Sequence, residues 1–311
     1  ALGAANGAEN DNIAIGVSAM GNADNDATQH NIVIGNDAGD AFGSAALEGT
    51  VIIGHSAGST INSADVSYSI FIGYQAGLAI TDGGQNILIG HQAGKEHETG
   101  HRNTVLGYQA MYDNGANSGP ASEDDIFIGF QAGSGTWHSA ASSKNVGIGN
   151  YAMIGAMNGA TMNTAIGHDA YKALTTGLEN VAVGALAADS YTGGSYNVSL
   201  GAYADANGTS GDSNITIGYN AQKSAADSSQ QCTLGTTDIG TLRCNQTSIS
   251  SLSDSRDKTN IVDIPLGLTF INSVRPVAFD WDRRDGTSVG KKDFGFIAQE
   301  LKVASDATVY G

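Results

Sequence analysis

Ser253 and Lys258 lie five residues apart in the run Ser253-Asp254-Ser255-Arg256-Asp257-Lys258. A serine hydroxyl becomes a nucleophile beside a base, and a lysine serves as that base when desolvation and a nearby cation such as Arg256 lower its pKa enough to leave it neutral. The other reading of the same residues, Asp254 included, is a charged turn. Two further stretches spell catalytic patterns. Gly54-His55-Ser56-Ala57-Gly58 matches the nucleophile elbow, but Asp37, Gln75, Gln92 and Gln131 hold the serine's place in related copies and no helix follows, so the strand-turn-helix context is missing. His97-Glu98-Thr99-Gly100-His101 spells a zinc pattern that needs a helix to put both imidazoles on one face. Here it falls in a loop with an internal glycine. No metal and no cofactor is expected.

The elements that position these groups belong to one repeat. Twelve times between residues 12 and 222 the chain writes an aliphatic, any residue, an aliphatic, a glycine, and an alanine three places later, from Gly16 and Ala19 to Gly218 and Ala221. Most copies place an Asn four before the glycine, as Asn214 stands before Gly218. Alternation in Asn214-Ile215-Thr216-Ile217-Gly218 has the period of a short strand with one buried face, which the aliphatic pair is expected to supply. Asn and Gly punctuate a tight coil, and Ala fills a site too narrow for more. One coil cannot bury that pair, so coils must stack, as a fixed unit of 17 to 22 residues implies. Twelve coils at a strand spacing of about 4.8 Å span roughly 58 Å. The expected fold is an all-β repeat array, a parallel β-roll or solenoid, with a small α+β segment at the C-terminus.

The position after the glycine holds His55, Tyr74, His91, Tyr108, Phe130, His168 and Tyr219 in seven of twelve copies. Stacked coils would align these rings as a ladder. It would be either aromatic packing within a subunit interface or a strip on which sugar rings stack. The longest insert, Met111 to Asp125, carries the array's only proline, Pro120. Such inserts belong on a loop face, either as a binding surface or as neutral drift.

Residues 1–230 hold 21 acidic against 5 basic side chains, a net −16, and residues 231–311 hold 10 against 9, a net −1. A boundary near 230 follows. An acidic array is repelled by nucleic acid and by anionic lipid, so neither is an expected partner. Acidic loops such as Asn22-Ala23-Asp24-Asn25-Asp26 lack the calcium nonapeptide pattern. Two cysteines make no disulfide framework. Cys232 replaces the first aliphatic of a degenerate thirteenth copy and reads as a buried apolar thiol, in keeping with synthesis in a reducing cytoplasm. No apolar run has the length of a membrane span, and residues 1–10 lack the pattern of a signal peptide. The absence of an initiator Met suggests a piece of a longer protein.

From Ser248 the sequence changes character. Ser253, Asp254, Arg256, Lys258 and Ile261 form S-D-x-R-x-K-x-x-I, an intervening block runs from Leu266 to Trp281, and Gly295 to Glu300 read G-F-I-A-Q-E. These three ordered blocks resemble the endosialidase-type intramolecular chaperone domain at the C-terminus of phage tail fibres and tailspikes. The resemblance implies a segment that trimerises the chain, assists its folding and cuts itself off between Leu252 and Ser253, with Ser253 attacking the Leu252 carbonyl and Lys258 as base. The family's domain continues further, so the chain looks cut short at Gly311. The repeats are similar to the head repeats of trimeric autotransporter adhesins, whose resemblance implies left-handed parallel β-rolls associated as trimers. The expected organisation is a rod over 1–230, a terminal repeat and neck over 231–252, and the chaperone over 253–311. The expected function is a homotrimeric viral tail fibre that binds a host surface glycan or protein receptor, made in the host cytoplasm and carried on the virion, joined upstream to other tail proteins. Its rivals are a bacterial trimeric surface adhesin and a tailspike polysaccharide depolymerase, the latter needing paired carboxylates in a cleft.

Overall fold

The computed structural model of the protein describes residues 11–25, 27–112, 122–138, 140–236, 239, 241, 268–281 and 290–306. The chain divides into two compact units, Ala1–Leu242 and Arg243–Gly311.

Unit one is a parallel β-solenoid. Its strands are β1 (Ile13–Ile15), β2 (Ile32–Ile34), β3 (Val51–Ile53), β4 (Ile70–Ile72), β5 (Ile87–Ile89), β6 (Thr104–Leu106), β7 (Ile126–Ile128), β8 (Val146–Ile148), β9 (Thr164–Ile166), β10 (Val181–Val183), β11 (Val198–Leu200), β12 (Ile215–Ile217) and β13 (Cys232–Leu234). They form one sheet in sequence order, each strand parallel to its predecessor and aligned so that repeat positions superpose. Every strand therefore pairs with its sequence neighbours in the same chain.

The burial pattern inverts one expectation. The middle residue of each strand points inward: Val33, Ile52, Phe71, Val105 and Phe127 are fully buried. The aliphatic pair on either side faces outward and is only half covered, by the same residues one coil above and below. The cause is the narrowness of the coil. Its interior is filled by the middle residue, by the repeat alanine, which has no exposure in any copy, and by side chains of the returning segment such as Phe42, Ile61, Trp137 and Tyr171. Cys232 follows the same rule. It takes an outward position of β13 and is exposed, contrary to its reading as a buried thiol.

Two ladders close each coil. The repeat glycine has a φ near +140°, as at Gly129, where a Cβ would also lie 2.5 Å from the carbonyl oxygen of Gly149 in the next coil. Both conditions exclude a side chain, which explains the strictness of the position. At the other end of the strand the asparagines are internal. Asn180 donates its backbone N–H and its amide to Asn163 Oδ1 at 3.1 and 2.9 Å, and the amide also donates to Gly194 O at 2.8 Å. Asn197 and Asn214 repeat the arrangement one coil on. A side chain read from sequence as strand punctuation thus serves as a buried hydrogen-bonded spine along the solenoid.

Unit two is described through α1 (Leu268–Ser273), β14 (Pro276–Asp280), β15 (Lys292–Phe296) and α2 (Ala298–Asp306). β14 and β15 pair antiparallel from Pro276 with Phe296 to Asp280 with Lys292. The Arg275 guanidinium holds Glu300 through contacts of 2.6 and 3.1 Å, tying the start of the hairpin to α2. None of this unit's side chains is fully buried among the described residues.

Candidate functional site

The ring ladder begins with the coil geometry. Each glycine turns the chain at the end of its strand and directs the next side chain outward, so identical register along the sheet brings those side chains into one row. His55, Tyr74, His91, Tyr108 and Phe130 form a continuous stack, with centroid separations of 5.5, 5.0, 4.9 and 5.2 Å and interplanar angles of 22°, 19°, 10° and 6°. At Asn150 the row loses a ring. Tyr151 stands one position further on and meets Phe130 and His168 edge-on, at 74° and 77°. Tyr219 packs edge-on against Tyr203 instead of joining the stack.

This geometry decides what the row presents. The faces of Tyr74, His91 and Tyr108 are covered by their neighbours, so a ligand approaching from solvent meets ring edges, phenol hydroxyls and imidazole nitrogens. Beside the rings runs a second row that sequence reading missed. Gln92, Gln109 and Gln131 each donate from Nε2 to the Oε1 of the preceding member, at 2.9, 2.8 and 2.9 Å, the chain starting at Gln75. Its signal was visible as a repeated Gln two places after the glycine.

The two rejected motifs have definite places. Ser56 Oγ lies 2.9 Å from His55 Nδ1, and His55 Nε2 is 4.0 Å from Asp37. The trio is exposed on the solenoid surface, and the backbone N–H groups of Ser56, Ala57 and Gly58 already donate to Asn36, Gly54 and Ala76 carbonyls. Those three groups are therefore not free to stabilise an oxyanion. His97 is sealed in the core, edge-on to Trp137 at 4.7 Å with neither ring nitrogen bonded, and burial pushes its pKa down to about 4. His101 faces the other way in function, accepting the Gly84 N–H at 3.1 Å. No group of three His, Cys, Asp or Glu side chains is placed to hold a metal ion among the described residues.

Two further buried ionisable sites stand out in the solenoid. Asp125 takes the place of asparagine in the amide spine. Its Oδ1 accepts the Asn145 backbone N–H at 2.8 Å, its Oδ2 has no partner, and burial raises its pKa well above the usual carboxylate range. Near the last coils Lys223 and Asp205 pair at 3.6 Å with side chains 1% exposed, and Lys223 also donates to Ser210 O at 2.6 Å. Burial lowers the Lys223 pKa and raises that of Asp205. The pair is shut away from solvent and belongs to the core.

Ser253 and Lys258, with Leu252, Asp254 and Arg256, lie outside the described residues, as does Pro120. Nearby in sequence, unit two has a shallow apolar groove of about 360 Å³ lined by Phe270, Ile271, Val274, Pro276, Phe296 and Leu301. Phe294 is 84% exposed on the hairpin.

Residues 253–310 match the Peptidase_S74 family model, chaperone of endosialidase. The chain therefore carries a chaperone-of-endosialidase domain in its C-terminal part, after a β-solenoid in sequence. No curated protein and no solved structure matches the chain.

Proposed function

We propose that the protein is the distal part of a viral tail fibre or tailspike-type protein, a homotrimer whose solenoid meets a receptor on the host surface and whose C-terminal domain assists assembly and then cleaves itself away. One observation carries this reading: a chaperone-of-endosialidase domain lies C-terminal to a solenoid of thirteen strands. A stacked-coil array must bring distant rungs into one register, a task for which a folding aid at one end is suited. The uncovered apolar side chains of unit two, including Phe294 and Phe296, support a domain completed by other copies.

The cleavage falls between Leu252 and Ser253. Ser253 Oγ attacks the Leu252 carbonyl carbon while neutral Lys258 takes the hydroxyl proton. The C–N bond breaks, the proton passes to the released amine of Ser253, and Leu252 is left as an ester on Oγ that water hydrolyses to a carboxylate. Release of the folding aid leaves a rod held by a kinetic barrier against unfolding. The receptor surface is assigned to the solenoid, where the ring row and its glutamine neighbours offer hydrogen-bonding edges to a glycan or a protein.

Intact mass of the expressed protein, beside Ser253→Ala and Lys258→Ala, tests the assignment. A wild-type fragment ending at Leu252 and two uncut variants are expected. An uncut wild type would remove the self-cleaving step. Incubation with candidate glycans separates receptor binding from a depolymerase, which would liberate new reducing ends.

A further inference from the structure

Lys223 is a lysine turned into the solenoid. Its side chain is 1% exposed, whereas Lys172, at the same repeat position three coils earlier, is 48% exposed and pairs with Asp169. Asp205 is equally out of pattern. One place after the repeat alanine, other coils bring Gly39, Met153, Tyr171 or Ala188, and none of the other eleven puts a charge there.

The two side chains make a poor ion pair. Lys223 Nζ lies 3.6 Å from Asp205 Oδ2, beyond hydrogen-bond length, and neither Asp205 carboxyl oxygen accepts a hydrogen bond. Nζ instead donates to the Tyr191 hydroxyl at 2.5 Å and to Ser210 O at 2.6 Å, and sits 4.5 Å from the centre of the Tyr191 ring. A buried charge pair offsets its desolvation only with close geometry and satisfied lone pairs, and this one has neither. What the geometry supplies is a nucleophile beside an acyl carbon, shielded from water and close to the roughly 3–3.5 Å separation of groups poised to react.

We propose that Lys223 and Asp205 join as an amide between Nζ and Cγ, a covalent staple between the turns that follow β11 and β12. Burial favours the neutral form of each group, lowering the Lys223 pKa and raising that of Asp205, so the amine has its lone pair and the carboxyl its proton. Nζ attacks Cγ and the Nζ–Cγ bond forms. One amine proton passes through the Tyr191 hydroxyl to the departing Oδ2 hydroxyl, the Cγ–Oδ2 bond breaks, and water leaves. The condensation consumes no oxidant and no cofactor. Effective concentrations of about 10⁵–10⁸ M for groups so held let it proceed without prior activation of the carboxyl. A cavity of about 230 Å³ adjoins the pair, bordered by Asp205, Gly208, Gln222 and Lys223 among others, and receives the water.

The staple sits where a stacked array needs one. β13 is the last strand of the sheet, and coils near an end have fewer neighbours to hold them, so opening begins there. Asp205 and Lys223 are about one coil apart, and their bond closes that coil into a ring. The inference needs neither the self-cleavage nor the receptor surface proposed above.

Trypsin digestion of the unfolded full chain reads the bond directly. An amide on Lys223 blocks cutting there, so residues 173–243 should emerge as one peptide, lighter than its sequence by one water. That peptide ends before Leu252 and reports independently of the self-cleavage. In Asp205→Ala, trypsin should cut after Lys223 and leave both peptides at full mass, and Lys223→Arg should likewise lose no water. A wild-type chain with the β-type circular dichroism of the fold, yet cut after Lys223 with both peptides at full mass, would overturn the inference. A water loss that persists in Asp205→Ala would overturn it too, since the dehydration would then lie at another residue.

Discussion

Asp125 and His97 are the residues at which local chemistry and burial conflict most directly, and their contributions change with pH in opposite directions. Asp125 keeps its proton in the fold, because burial disfavours the carboxylate and Oδ2 has no donor. The unfolded chain gives that proton up above about the ordinary carboxyl value of 3.8, so this group's contribution falls as pH rises from there. Asp125→Asn supplies the missing amide. It should raise stability by about 1–3 kcal/mol near neutral pH and flatten that part of the dependence in urea titrations. His97 behaves in reverse. It is neutral in the fold down to about pH 4, whereas the unfolded imidazole takes a proton below 6.5, so stability is lost as pH falls from 6.5 to 4. A shift of this size corresponds to about 3 kcal/mol across the window. His97→Phe, against Trp137, should abolish the loss in melts at pH 4.5 and 7.5. A slope unchanged in the variant would place the acid sensitivity elsewhere.

At the scale of the element, each coil is a short strand followed by a turn that ordinary residues adopt only at a cost. Gln75, Gln92, Gln109 and Gln131 all have φ between 50° and 57°, a conformation costing roughly 1 kcal/mol or more for a residue with a Cβ. The cost is offset by rung-to-rung bonds, among them Gln109 N–H to His91 O at 2.8 Å, and by the amide row on the side chains. The glycine has no such latitude. Gly129→Ala should destabilise the solenoid by about 3 kcal/mol or more, since it adds an unfavourable φ to a collision with the Gly149 carbonyl. Chemical denaturation of that variant beside Ser134→Ala, a half-exposed site in the same coil, measures the difference. Equal midpoints would show that the glycine is replaceable.

At the scale of the whole molecule, the sequence by itself determined the coil count, the parallel array and the change of character at the C-terminus, because each rests on recurrence or on ordered motif blocks. Gly, Ala and Asn recur wherever the backbone allows one side chain only. What the repeat could not settle was direction. Period-2 alternation says that two faces differ but not which one is interior, and for a narrow coil the single middle residue fills the inside while the aliphatic pair is left outside. The same inversion turned Cys232 outward. The amide spine, the glutamine row and the closed stack from His55 to Phe130 were likewise decided by tertiary structure. Each needs side chains 17 to 22 residues apart to meet at one rung spacing, and only the superposed register of the coils fixes that meeting.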